Sequence, residues 1–163
     1  MKNKPDASRI LFKESQRFDQ PWLWLLMAAI FSVNLFLLVK LGSTTVVLLS
    51  VAIFLMIVIL FLLMKLETIV TTTGIYYRFL PFQINHRVIP YSSITEWSVN
   101  KYNPLKDFGG WGMRWSVKYK CWAYIVKGRY GINIVYDNGK KQIILGTCHP
   151  EELKQLIRTQ GEK

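Results

Sequence analysis

Residues 103–115 read NPLKDFGGWGMRW, which sets three glycines, two tryptophans and an arginine close together. Glycines beside an arginine are the raw material of a phosphate cradle, because backbone N–H groups approach an anion closely where no Cβ intervenes. A P-loop also needs a lysine followed by serine or threonine at the head of a helix, and a dinucleotide fingerprint needs the spacing G-x-G-x-x-G. Gly109, Gly110 and Gly112 meet neither pattern. Asp107, Phe108 and Gly109 match one fragment of the protein-kinase signature, but no catalytic HRD loop accompanies them. His86 and His149 are the only histidines, and no serine or cysteine stands in a nucleophile elbow. Cys121 and Cys148 belong to no CxxC pair, and no His/Cys/Asp/Glu group has metal-ligand spacing. The residues therefore predict a protein that is not an enzyme, with no cofactor and no metal. They leave 103–115 as either a structural corner or a binding loop.

The elements that must position this stretch fall into two blocks of opposite character. Mean hydropathy is positive at +0.19, but the average hides a split: residues 21–64 contain a single charge, Lys40. Residues 21–39 and 41–64 are each free of charge, and about 20 apolar residues in a helix cross the hydrocarbon core of a bilayer. The KLGSTT between them is a tight turn, so 21–64 reads as a two-helix transmembrane hairpin with Lys40 snorkelling at the turn. Lys2, Lys4, Arg9, Lys13 and Arg17 precede it, and Lys65, Arg78 and Arg87 follow. The positive-inside bias then places both termini in the cytoplasm, where unpaired cysteines stay reduced. Trp22 and Trp24 suit an interfacial belt at the start of the first helix. Asn34, polar in mid-span, bonds either to a partner helix or within the hairpin. Residues 1–20 form a cytosolic juxtamembrane segment, and the stretch 10–21, ILFKESQRFDQP, leading into the first span is either amphipathic at the membrane surface or a solvated lead-in.

From Lys65 to Lys163 the period turns from helix to strand. Residues 67–79 read as a hairpin around Thr73-Gly74, and 86–99 as a short extended piece, a break at Pro90 and a strand. Residues 111–117, 121–127, 130–136 and 141–147 are further strands, with Asp137-Asn138-Gly139 a strong hairpin turn. Residues 149–160 close the chain with a helix: Pro150 opens it, Glu151 and Glu152 occupy the first turn, and Leu153, Leu156 and Ile157 share one face. About seven antiparallel strands and a C-terminal capping helix, curled into a partly open barrel, cover the edges and open face of so small a sheet.

This order resembles the pleckstrin-homology (PH) fold over roughly residues 65–160. NPLKDFGGWGMR, the later KGRYGINIVYDNG and HPEELKQLI, and the lead-in FKESQRFDQPW resemble an uncharacterised group of small bacterial membrane-anchored PH-like proteins. The resemblance implies an α+β, mainly-β PH-like domain behind a membrane hairpin in a bacterial inner membrane. It implies no activity.

Net charge is +11. On a membrane-tethered domain, basic side chains near an anionic leaflet explain that excess more simply than nucleic acid does, and no nucleic-acid partner is expected. Lys13, Arg17, Lys65, Lys118 and Lys120 are the candidate lipid-facing cations. The first hairpin loop, around 71–74, has no basic residue, which argues against headgroup-specific phosphoinositide binding there. Asn103, Pro104, Leu105, Asp107, Gly109, Gly110, Trp111, Gly112, Arg114 and Trp115 are the candidate partner-binding or structural loop. Strand alternation turns Trp111 and Trp115 inward at a glycine-pinched bulge and sets Arg114 opposite. The expected role is an interaction or assembly module docking a protein partner or a second copy of itself. The alternative is a module that reads an anionic lipid surface.

Overall fold

The computed structural model describes residues 9–40 and 42–161; Lys2, Lys4 and the turn residue Leu41 lie outside them. The described chain forms two compact units, one from residues 18–64 and the other from the residues before and after.

The first unit is a pair of 20-residue helices, α1 (Pro21–Lys40) and α2 (Thr44–Leu63), each long and apolar enough to cross a membrane. Gly42 takes a positive φ of 70° in the turn between them. Phe31 stacks on Phe54 at 4.1 Å between the two helices, and the Trp24 indole donates to the Phe18 carbonyl at 3.0 Å. Ser32 and Ser50 return their hydroxyls to carbonyls of their own helices, as a hydroxyl in an apolar surround must. Asn34 is exposed on α1. Lys40 sits over the Phe36 ring at 4.8 Å.

The second unit holds nine strands. β1 (Ile10–Arg17), β2 (Lys65–Thr71), β3 (Gly74–Leu80) and β4 (Arg87–Pro90) form one antiparallel sheet in sequence order. A short turn at Tyr91–Ser93 leads to β5 (Ile94–Lys101), followed by helix α3 (Pro104–Phe108). Then come β6 (Gly112–Ser116), β7 (Cys121–Ile125), β8 (Tyr130–Tyr136), β9 (Lys141–Thr147) and α4 (Pro150–Gly161). The second sheet has the order β5-β8-β9-β7-β6.

Three expectations are corrected. Residues 10–17 are neither a surface amphipath nor a solvated lead-in; they are the edge strand β1, paired with β2 from Ile10↔Thr71 to Arg17↔Lys65. Alternation along β1 points Phe12, Glu14 and Gln16 inward and Lys13, Ser15 and Arg17 outward. Buried Glu14 and Gln16 hid this strand from a hydrophobicity pattern. Their polar atoms are satisfied by the other sheet: Glu14 accepts from the Thr147 hydroxyl and the Cys148 N–H, both at 2.7 Å, and Gln16 donates to the Gly146 carbonyl at 2.8 Å. A buried carboxylate with such donors avoids most of the cost of desolvation.

Second, the described residues hold nine strands in two sheets, where about seven antiparallel strands in a partly open barrel or sandwich were expected. Third, β7 does not fold back on β8. It pairs in parallel with β9, Trp122↔Ile143 to Tyr124↔Leu145, and β8 lies on the far side of β9. Residues 126–129 are thus a crossover, not a hairpin turn. The hairpin at Asp137–Gly139 is as expected, with positive φ at all three residues.

The five-stranded sheet is covered on both faces. One face carries Ile132, Ile134, Leu145 and Tyr124, and the Tyr124 ring meets Tyr77 at 5.4 Å and Phe79 at 6.0 Å on the other sheet. α4 packs against β5 and β8, burying Leu153 and Ile157. The other face carries Cys121, Ala123, Ile125 and Ile144, beneath Tyr102 and Phe108 with Trp111 and Tyr119 at the margin. The segment between β5 and β7 is therefore the lid of a second core.

Candidate functional site

The 101–122 segment is built from its capping chemistry outward. Asn103 precedes Pro104, and its Oδ1 accepts from Leu105 N at 3.1 Å and Lys106 N at 3.3 Å. Asp107 reaches back to accept from Asn103 N at 2.8 Å, closing the cap from both sides. Gly109 ends the helix at φ 71°, its N–H on the Leu105 carbonyl, and Gly110 follows at φ 129°, its N–H on the Pro104 carbonyl. Those left-handed positions are why two glycines stand there. The expected loop-to-strand corner is thus a capped helical turn, and Asn-Pro at one end and Gly-Gly at the other were its sequence signal.

Asp107 does a second job. Its other oxygen pairs with Lys118 at 2.8 Å, and its carbonyl accepts from the Ser116 hydroxyl at 3.2 Å. The Lys118 and Asn103 hydrogen bonds hold the Asp107 carboxyl below its ordinary range, and Lys118 is raised in turn. Arg114 does not meet Asp107; its Nε donates to the Trp111 carbonyl at 3.2 Å. Phe108, aimed at the sheet by this cap, packs on Tyr102 at 5.2 Å and Tyr119 at 5.8 Å. Gly131 and Gly146, paired across β8 and β9, leave room for the Tyr102 ring: a Cβ at Gly131 would come 2.6 Å from it. Burial pushes the Tyr102 phenol up, and the Cys121 thiol to about 11.

Trp111 and Trp115 part company. Trp111 packs at the margin of the core, as expected of an anchor. Trp115 does not turn inward: the buried positions of β6 are Gly112 and Ser116, and Trp115 is 53% exposed. The reason is register. Trp115 pairs with Trp122 of β7, and the two indoles meet edge to face at 5.7 Å with Trp122 45% exposed. Val117, at the turn beyond, is 82% exposed. β6 is the sheet's edge, so its outer side has no partner strand among the described residues. Sequence reading missed Trp122 altogether; its parity opposite Trp115 becomes visible only once β6 and β7 are paired.

The five lipid-facing candidates separate into two groups. Lys13, Arg17 and Lys65 share the outer face of the four-stranded sheet, while Lys118 and Lys120 follow Val117 in the β6–β7 turn. Lys65 and Lys118 are already paired, with Glu67 and Asp107. Burial raises the Glu67 carboxyl, but hydrogen bonds and charge from Arg78 and Lys65 outweigh that and hold it at about 2. His86, 3.6 Å from Glu67, is shifted down by burial and by Arg78. His149 gives its carbonyl to Leu153 N at the start of α4 and stands 3.6 Å from Glu14.

No protein-family model, curated protein or solved structure matches the chain.

Proposed function

We propose that this protein is a membrane-anchored interaction module whose PH-like domain docks a protein partner at the β6–β7 end of the five-stranded sheet. The observation that carries this reading is the exposed Trp115–Trp122 pair beside an unpaired strand edge. Large aromatic side chains standing in water are costly to the free protein and supply most of the binding energy when a partner covers them. The open edge of β6 offers backbone groups for strand addition. Exposed Arg114 and Lys120 suit a partner segment that carries acidic residues. The two apolar helices would hold the domain at the inner face of a bacterial membrane with both termini in the cytoplasm, as the charge bias and the family resemblance imply. The α+β content, with two sheets and a C-terminal helix, supports the PH-like reading, while the parallel β7–β9 pair departs from a simple antiparallel barrel.

A lipid-reading alternative draws on the same turn, because Val117 between Trp115 and Trp122 and beside Lys118 and Lys120 also suits an anionic interface. A photo-crosslinking residue at Val117 of the full chain, in native membranes, separates the two. Protein adducts that vanish in Trp122→Ala support docking. Adducts to lipid alone, together with Trp115 and Trp122 quenching by brominated anionic lipids, would replace it with the lipid reading.

A further inference from the structure

A cleft of about 480 Å³ opens beside the start of α3, and neither Trp115 nor Trp122 lines it. It is within the range of about 300–1,000 Å³ typical of small-molecule sites. Its rim is set by register: Lys101 pairs with Tyr130, and the Tyr102 N–H donates to the Arg129 carbonyl at 2.8 Å, so Lys101 and Arg129 line one cleft. Neither cation forms an ion pair among the described residues. Asp107, the one acid in the α3 segment, is committed to Asn103 N and Lys118. The apolar part of the lining is Pro104, Trp111 and Leu105, a leucine left 62% exposed on a helix of five residues. Gly128, at φ 83°, also lines the cleft, and a Cβ there would sit 3.3 Å from the Thr147 carbonyl. Asn103 spends its carbonyl oxygen on the cap and keeps its amide N–H groups.

Two cations without an ion pair among the described residues, in a cleft that Pro104, Leu105 and Trp111 also line, suit a ligand with a charged end and a flat apolar end. We propose that the cleft binds a small organic oxyanion, with its phosphate or carboxylate group between Lys101 and Arg129 and its apolar body against Leu105 and Trp111. A guanidinium and an ammonium acting together recognise an oxyanion by charge and, at Arg129, by its two-pronged geometry. The aliphatic and indole surfaces add affinity that inorganic phosphate cannot gain. This site is independent of protein docking at Trp115 and Trp122.

The test uses the full chain in lipid nanodiscs and phenyl phosphate as probe, read by calorimetry and by ligand-observed NMR. Benzoate, inorganic phosphate and phenol are the comparisons. Phenyl phosphate and benzoate should bind, inorganic phosphate more weakly, and phenol not measurably. Lys101→Gln and Arg129→Gln, both at exposed positions, should each weaken phenyl phosphate by about tenfold with the melting temperature unchanged, and Leu105→Ser should narrow the gap between phenyl phosphate and inorganic phosphate. Unchanged affinity in the double variant Lys101→Gln/Arg129→Gln, or no binding of either organic anion to wild type, overturns the proposal. Adding phosphatidic acid to the nanodisc tells a lipid headgroup from a free metabolite as the source: displacement of phenyl phosphate assigns the site to the headgroup, and retention assigns it to a soluble anion.

Discussion

Residues 103–110 and residues 111–122 are neighbours in sequence, the first with one aromatic side chain and the second with four, and they use them in opposite ways. The first stretch spends its polar groups on itself. Asn103 and Asp107 close the helix start, Gly109 and Gly110 close its end, and the product is one well-aimed Phe108 over the second core. The second stretch begins with Trp111 at the margin of that core and then, within four residues, puts an indole into water beside another. An apolar side chain held by a cap is explained by the fold. An exposed indole pair on an edge strand is not explained by folding alone, and that is what makes the second half the candidate for binding.

The largest effect expected in the first half is from Phe108→Ala. Truncating a buried phenylalanine costs about 3–5 kcal/mol, read as a fall in denaturation midpoint of the full chain in detergent. A loss below about 1 kcal/mol would break the comparison, since the cap would then be positioning nothing of consequence. Gly131→Ala comes next. The added methyl meets the Tyr102 ring and the Leu145 carbonyl, 3.0 Å away, and overpacking of this kind costs about 1–3 kcal/mol. If Gly131→Ala and Tyr102→Ala together cost less than the sum of the two single substitutions, the glycine slot is confirmed as the reason for the penalty.

Much of this division was legible in the residues, and the illegible part has a physical cause. The helices, the hairpin at Asp137–Gly139 and the closing helix follow from local period and turn chemistry, which need no partner. β1 was invisible because Glu14 and Gln16 interrupt its apolar face, and the partners that permit them, donors on Thr147 and Cys148 and an acceptor on Gly146, lie over a hundred residues away in the chain. The parallel β7–β9 pair was hidden for the same reason: nothing local in 121–136 reports that β9 comes between. At 103–115 the opposite error occurred. The signals for a capped turn, Asn-Pro at the start and Gly-Gly at the end, are local and present in the residues. Trp115 was expected inward by extending Trp111's parity through Gly112, whose positive φ of 106° breaks the alternation.

A smaller effect sharpens the capped half. Asn103→Ala removes both cap acceptor bonds and should cost about 1 kcal/mol, measured by the same melting experiment. Acid should act on the same contact. Because its folded-state value is lowered by Lys118 and the Asn103 N–H, Asp107 contributes its full stabilisation above the ordinary value of 3.8 and loses it as pH falls below that. In Asp107→Asn that part of the acid dependence should disappear. If it persists unchanged, the cap is not held by the carboxylate.

The smallest stability effect is the most informative. Trp122→Ala should leave stability within about 0.5 kcal/mol of wild type, because the indole is nearly half in water and its strand keeps Cys121, Ala123 and Ile125 buried. The same substitution should abolish crosslinking from Val117 if a partner covers the indole pair. The two measurements must diverge for the division of this segment to hold. A loss of several kcal/mol would make Trp122 a packing residue like Phe108, and the two stretches would be one structural unit. Unchanged stability with unchanged crosslinking would leave the exposed pair without a role in docking and move the search for one to the edge of β5.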